Sequence, residues 1–192
     1  MQTHMAKQNQ AIAIPTTESR SKTLLGRAKT IGRLAADLRA LSCDASSFVS
    51  LDADDLARQV RDRVRDRADA KDVDVVLHCT CSRVWVQPHS FSEALYELFD
   101  NAVQATRKRH PVVVDVRDTV EGDVLWQIQD AGEGMSERVL AELAQPPHTV
   151  LQGGSILGVA LAWAVVEKHG GSLRFESAPG VGTTASIWLP RR

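Results

Sequence analysis

The chain has 192 residues, 43% hydrophobic and 24% charged, which suits one globular domain with a short extension and gives globular values rather than disordered or membrane ones. Its formal net charge of −1 gives no electrostatic case for a nucleic-acid or membrane surface as partner. No apolar run approaches the roughly 18 residues that span a bilayer, no signal-peptide pattern opens the chain, and an odd set of three cysteines argues against a disulfide framework, so a cytoplasmic location is expected.

Met1-Gln2-Thr3-His4-Met5 reads as a tag remnant, and residues 1–18 are expected to form a poorly ordered tail. Over 19–45, Leu24, Ala28, Ile31, Leu34, Leu38 and Leu41 recur at helical spacing. Ile31, Leu34, Leu38 and Leu41 fit an a/d seam, which serves either a helix covering its own domain or a dimerising bundle. The folded domain is expected over 46–192. After a loop at Ser42–Ser50, Asp52 is placed to cap a helix through about Ala68, with Leu56, Val60 and Val64 on one stripe. The mixed charges of Arg58 to Asp69 are expected to form a solvated face.

Two strand-like runs follow, Val73–Cys79 and Arg83–Gln87. Cys79 and Cys81, two apart, are expected on one face as core or surface thiols, because no second ligand pair follows at zinc-site spacing. Ser90 can cap a helix to about Arg107, broken by His110-Pro111. Val112–Arg117 and Val124–Gln129 read as an antiparallel pair, Ser136–Ala144 as a short helix and Gln145–Ser155 as a loop. Ile156–His169 reads as an apolar helix ended by Gly170-Gly171, and Ser172–Ser177 with Thr183–Leu189 as a closing hairpin. Helices interrupt the strands in blocks rather than alternating with them. The expected fold class is therefore α+β, a two-layer α/β sandwich whose mixed, mostly antiparallel sheet carries helices on one face.

Four short segments carry chemistry. Glu97 and Asn101 share one helix face, continued by Gln104 and Lys108, while Phe91, Leu95, Leu98 and Ala102 form a separate apolar stripe. A carboxylate and an amide oxygen on the rim of a buried helix suit a hard divalent cation that keeps some waters; standing alone, the pair would be plain helix surface. Asp130-Ala131-Gly132-Glu133-Gly134-Met135 follows a strand, and Asp130 there can accept a hydrogen bond from an exocyclic amino group such as that of adenine. Gly153-Gly154-Ser155-Ile156-Leu157-Gly158 runs into a helix whose first N–H groups can hold phosphate, or else it is a linker capping a core helix. Gly180-Val181-Gly182-Thr183-Thr184 precedes the last strand.

In order and spacing these segments resemble the ATP-binding domain shared by gyrase, the Hsp90-type chaperone, histidine kinases and MutL, and specifically that of histidine kinases. The resemblance spans about residues 52–190 and implies a Bergerat-type ATP-binding fold with ATP and Mg²⁺ as cofactors. It implies that Asn101 ligates Mg²⁺, and that Glu97 positions the ion or the attacking imidazole and is the catalytic residue. Asp130 would bind the adenine amino group with Thr183 in support. Gly132, Gly134, Met135, Gly154, Leu157 and Gly158 would shape the pocket and its phosphate lid. The implied function is transfer of the ATP γ-phosphoryl group to a histidine on dimerisation helices, a homodimer in the full-length protein, for relay to the receiver domain of a response regulator. No P-loop sequence is present.

Three departures stand out. Ile156 occupies the middle glycine of the second glycine box, and no phenylalanine box is recognisable in Leu143–Leu151. Gln104 stands where the family has a basic residue, leaving Arg107 or Lys108 as substitutes. No phosphoacceptor histidine is evident over 19–45, as expected of a chain trimmed at its N-terminus or of an enzyme acting on a partner's histidine. The alternatives are a degenerate nucleotide-binding regulatory module and an anti-sigma-type serine kinase.

Overall fold

Asp52 turns the chain from strand to helix at the start of the folded region. The computed structural model describes residues 48–81, 83–143 and 154–191, with the side chains of 142 and 154–157 outside that description. The helix expected over 19–45 and the lid loop up to residue 153 fall outside the described residues as well. Strand β1 (Val49–Asp52) leads directly into α1 (Ala53–Lys71), so the loop expected over Ser42–Ser50 ends earlier, at β1. Asp52 Oδ1 accepts the N–H groups of Asp54 at 2.9 Å and Asp55 at 3.1 Å, satisfying two of the orphan donors of the first turn. Leu56, Val60 and Val64 are buried along α1.

Strands β2 (Val75–Cys79) and β3 (Arg83–Val86) do not form a hairpin. β3 pairs antiparallel with β1, whereas β2 pairs in parallel with β4 (Val112–Asp118). The N–H groups of Thr80 and Cys81 both reach Val116 O, at 2.8 and 3.3 Å, so the chain follows β4 past the end of β2 before turning away. Cys79 therefore ends a strand while Cys81 lies buried beyond it, and they do not share a strand face.

A parallel pair needs a crossover, supplied here by α2 (Pro88–Ala105). Gln87, not Ser90, is its N-cap. Pro88 fills the first helical position, where a missing N–H costs nothing, and Ser90 is buried in the first turn with its hydroxyl 3.3 Å from Gln87 Oε1. The helix ends at Ala105 because Thr106 adopts an extended backbone, ψ 138°, before His110-Pro111 is reached.

β4, β5 (Val124–Gln129), β7 (Gly182–Leu189) and β6 (Ser172–Ala178) then pair antiparallel in turn, giving the sheet order β2-β4-β5-β7-β6. Between β5 and β6 lie α3 (Glu137–Leu143) and α4 (Gly154–Lys168). Gly170, at φ 73°, ends α4, and the N–H of Gly171 reaches back to Val166 O at 3.0 Å. The sandwich closes through alternation along the strands. Val112, Val114, Val116, Trp126, Ile128 and Ile187 face Phe91, Leu95, Leu98 and Val165 of the helices. Asp115, Arg117, Gln127 and Ser186 occupy the other face, with Arg117 Nη2 donating to Gln127 Oε1 at 2.7 Å. His169 is a core residue, 2% exposed: Nε2 accepts the Gln87 N–H at 3.0 Å and Nδ1 lies 2.7 Å from Val165 O.

Candidate functional site

The C-terminal half of α2, the end of β5 and the β6–β7 hairpin enclose a cleft of about 590 Å³. Leu98, Ala102, Ile128, Val159, Phe175 and Ala185 give it apolar walls. Asn101, Gln104, Thr106, Asp130 and Thr183 supply polar points, and Lys71, Arg107 and Glu133 add charge. The apolar walls suit a flat heterocycle, and the two cations Lys71 and Arg107 suit an anionic group carried beside it.

Asp130 is 8% exposed at the end of β5. Its Oδ1 accepts the N–H of Gly132 at 2.8 Å and of Thr183 at 3.2 Å, and its own N–H donates to Thr183 O at 2.9 Å. Burial pushes its carboxyl above the usual value, opposed by the Gly132 and Thr183 N–H groups, the Thr183 hydroxyl and the charge of Lys71. The glycines of this region answer to space. A side chain on Gly134 (φ 68°) would stand 2.0 Å from Ala178 O, and one on Gly182 (φ 123°) 2.1 Å from Asp130 O. One on Gly132 would stand 2.7 Å from Ala105 O. Ser177 ties the loop to the hairpin: its Oγ accepts the Met135 N–H and donates to Gly182 O, both at 2.8 Å.

The α2 residues divide. Asn101, Gln104 and Arg107 line the cleft together with Gly134 and Met135. Glu97, on the same helix face, is 2% exposed and packs against Gly158 of α4. Gln104 commits its amide to Asp100 Oδ2 at 2.8 Å. Arg107 Nη2 donates to Gly180 O at 3.2 Å. Lys108 is exposed and does not line the cleft, because α2 ends three residues before it and the helical face extrapolated from Asn101 stops there. Gly154 begins α4, while Leu157 and Ile156 carry side chains outside the described set.

Three residues escaped the sequence reading. Lys71, at the end of α1, lines the cleft and donates to Val103 O at 3.1 Å and to Gln104 O, supporting the last carbonyls of α2. Thr106 is buried, and its Oγ1 accepts the Ala131 N–H at 3.3 Å. Asp100, 1% exposed, pairs with Arg67 at 2.9 Å, and its Oδ1 has no hydrogen-bond partner among the described residues. Only the apolar pattern of α2, which makes position 100 a buried one, could have signalled the last of these.

Among the described residues no three His, Cys, Asp or Glu side chains converge as a protein-only metal cage. A magnesium ion, which keeps waters and takes most of its ligands from phosphates, needs less, and the Asn101 amide on the cleft wall fits that role.

Residues 86–192, more than half of the chain, match the family described as histidine kinase-, DNA gyrase B- and HSP90-like ATPase. The sensor histidine kinase ZraS of Klebsiella oxytoca is 33% identical over 108 residues, 56% of this chain and 23% of that protein. ZraS of Escherichia coli K12 is 28% identical over 156 residues, 81% of this chain and 30% of that protein. The chain thus spans about a quarter of the length of these curated relatives. Among solved structures, the histidine kinase AdeS of Acinetobacter baumannii superposes with a TM-score of 0.74 at 19% identity, covering 93% of this chain and 87% of that one. The mycobacterial sensor histidine kinase MprB gives 0.65 at 26% identity, covering 75% and 97%. The chain belongs to the family of histidine kinase-, DNA gyrase B- and HSP90-like ATPases.

Proposed function

We propose that the cleft binds ATP with Mg²⁺ and that the chain is the catalytic domain of a sensor histidine kinase. The observation that carries this is Asp130, a carboxylate 8% exposed at the floor of a mainly apolar cleft and fixed by the Gly132 and Thr183 N–H groups. A buried acceptor of that kind discriminates strongly for an amino-bearing heterocycle, since other ligands leave it unsatisfied. Adenine would stack among Ile128, Phe175 and Ala185 with its amino group on Asp130. Asn101 would hold the magnesium ion, whose chemistry is to neutralise charge on the phosphates. Gly154 begins α4, and the first N–H groups of a helix, which have no partner within it, would serve the phosphates.

In the reaction, the lone pair of a histidine ring nitrogen forms the N–P bond as the bridging P–O bond of the γ-phosphoryl group breaks, its electron pair leaving with ADP. Glu97 orients the attacking imidazole. The acceptor histidine belongs to a dimerisation helix pair, and a response regulator's receiver domain takes the phosphoryl group next. The sensor histidine kinases among the relatives support this assignment.

The test is incubation with [γ-³²P]ATP and a separately purified histidine-bearing bundle. Label that is lost in acid and kept in base supports the reading. Acid-stable label indicates a serine kinase instead. ATP binding without label on any partner indicates a regulatory module.

A further inference from the structure

We propose that helix α4 sets the position of Glu97 through the absent side chain of Gly158. A Cβ on Gly158 would stand 2.0 Å from Glu97 Oε2, 2.9 Å from its Cδ and 3.2 Å from its Cβ. The conflict runs along the side chain, so turning the carboxylate about its last bond does not relieve it. Nor is there room to move elsewhere at no cost: Glu97 is 2% exposed, and Gly158 is itself buried.

Conformation does not require this glycine. Position 158 lies inside α4, and its backbone is not left-handed, unlike Gly134, Gly180 and Gly182. Alanine is the better helix former at such a position, so an unconstrained site would favour it. What remains is space. Glu97 occupies the space that a side chain at position 158 would take, one turn along α2 from Asn101. Any displacement of Glu97 away from α4 carries the carboxylate from its seat by more than the fraction of an ångström that a reacting geometry tolerates. Gly158 is thus a positioning residue. This inference rests on the role proposed above for Glu97.

Two measurements on the full chain test it. In a thermal unfolding cycle, Gly158→Ala lowers Tm while Glu97 is present and raises it in the Glu97→Gly background, where all three close atoms of Glu97 are gone and helix propensity is left. A change of the same sign in both backgrounds overturns the contact. With [γ-³²P]ATP and a histidine-bearing bundle from a ZraS relative, Gly158→Ala lowers kcat on the order of a hundredfold with KM for ATP within about threefold. A loss carried by KM with kcat unchanged overturns the positioning role. A wild-type chain that binds no ATP overturns the proposed function instead, and the sign reversal in Tm still decides whether α4 seats Glu97.

Discussion

Asp130 illustrates the conflict between binding and folding in a single side chain. Burial penalises its ionised form, so the folded protein keeps a proton there to higher pH than the unfolded chain does. Stability from this group is therefore greatest below the unfolded value and falls as pH rises through the window up to the folded value. Asp130→Asn removes the ionisation and keeps an oxygen for the Gly132 and Thr183 N–H groups. The variant is expected to melt higher than wild type at neutral pH, with the gap closing as pH falls into the carboxylate range. A variant that melts lower at neutral pH contradicts this. The glycines separate by cause as well. Gly134→Ala and Gly182→Ala combine a left-handed backbone with oxygen contacts near 2 Å and are each expected to cost at least about 2 kcal/mol in urea unfolding. Gly180→Ala, at φ 79° with open space around it, is expected to cost only about 1 kcal/mol. Asp130 was legible because a carboxylate before a glycine turn is a local pattern. Lys71 was not, since its contacts lie 32 residues away at Val103.

The join between α1 and α2 shows the same boundary between local and distant information. The inward stripe of Leu56, Val60 and Val64 follows from 3.6-residue periodicity, and Asp52 caps α1 as its residue type predicts. The charges from Arg58 to Asp69 read as a solvated face, and Arg58 with Asp54 is such an exposed pair. Arg67 departs from it by reaching a carboxylate 1% exposed on the neighbouring helix. Arg67→Ala leaves Asp100 buried with only the Gln104 amide, and is expected to cost about 1–3 kcal/mol by urea unfolding, more than Arg58→Ala. Equal costs for the two would show that the buried pair contributes no more than a surface one. β2 and β3 mark the other limit. Each is legible as a strand, but their division between two sheets depends on Val116 O accepting from Thr80 and Cys81, which no local pattern encodes.

Among the described residues the five-stranded sheet has one polar face and one face closed by helices, and the cleft opens where α2, β5 and the β6–β7 hairpin meet. The α+β architecture was legible from the order of periodicities, while the parallel β2–β4 pairing required the crossover through α2. A ligand that binds only the folded state raises stability by mass action, about 2.7 kcal/mol at a hundredfold excess over Kd. Saturating ATP with Mg²⁺ is accordingly expected to raise Tm, and adenosine to do so less, because it lacks the phosphates that the ion and the start of α4 would hold. An ATP shift no larger than that of adenosine contradicts the phosphate half of the site. The most direct test of the cleft as an adenine nucleotide site is calorimetric titration of the full chain with ATP, with and without Mg²⁺, beside Asp130→Asn. Wild type is expected to bind saturably, and the Asn variant to bind about tenfold or more weaker. Equal affinity in the two proteins, or no heat of binding in wild type, would contradict it.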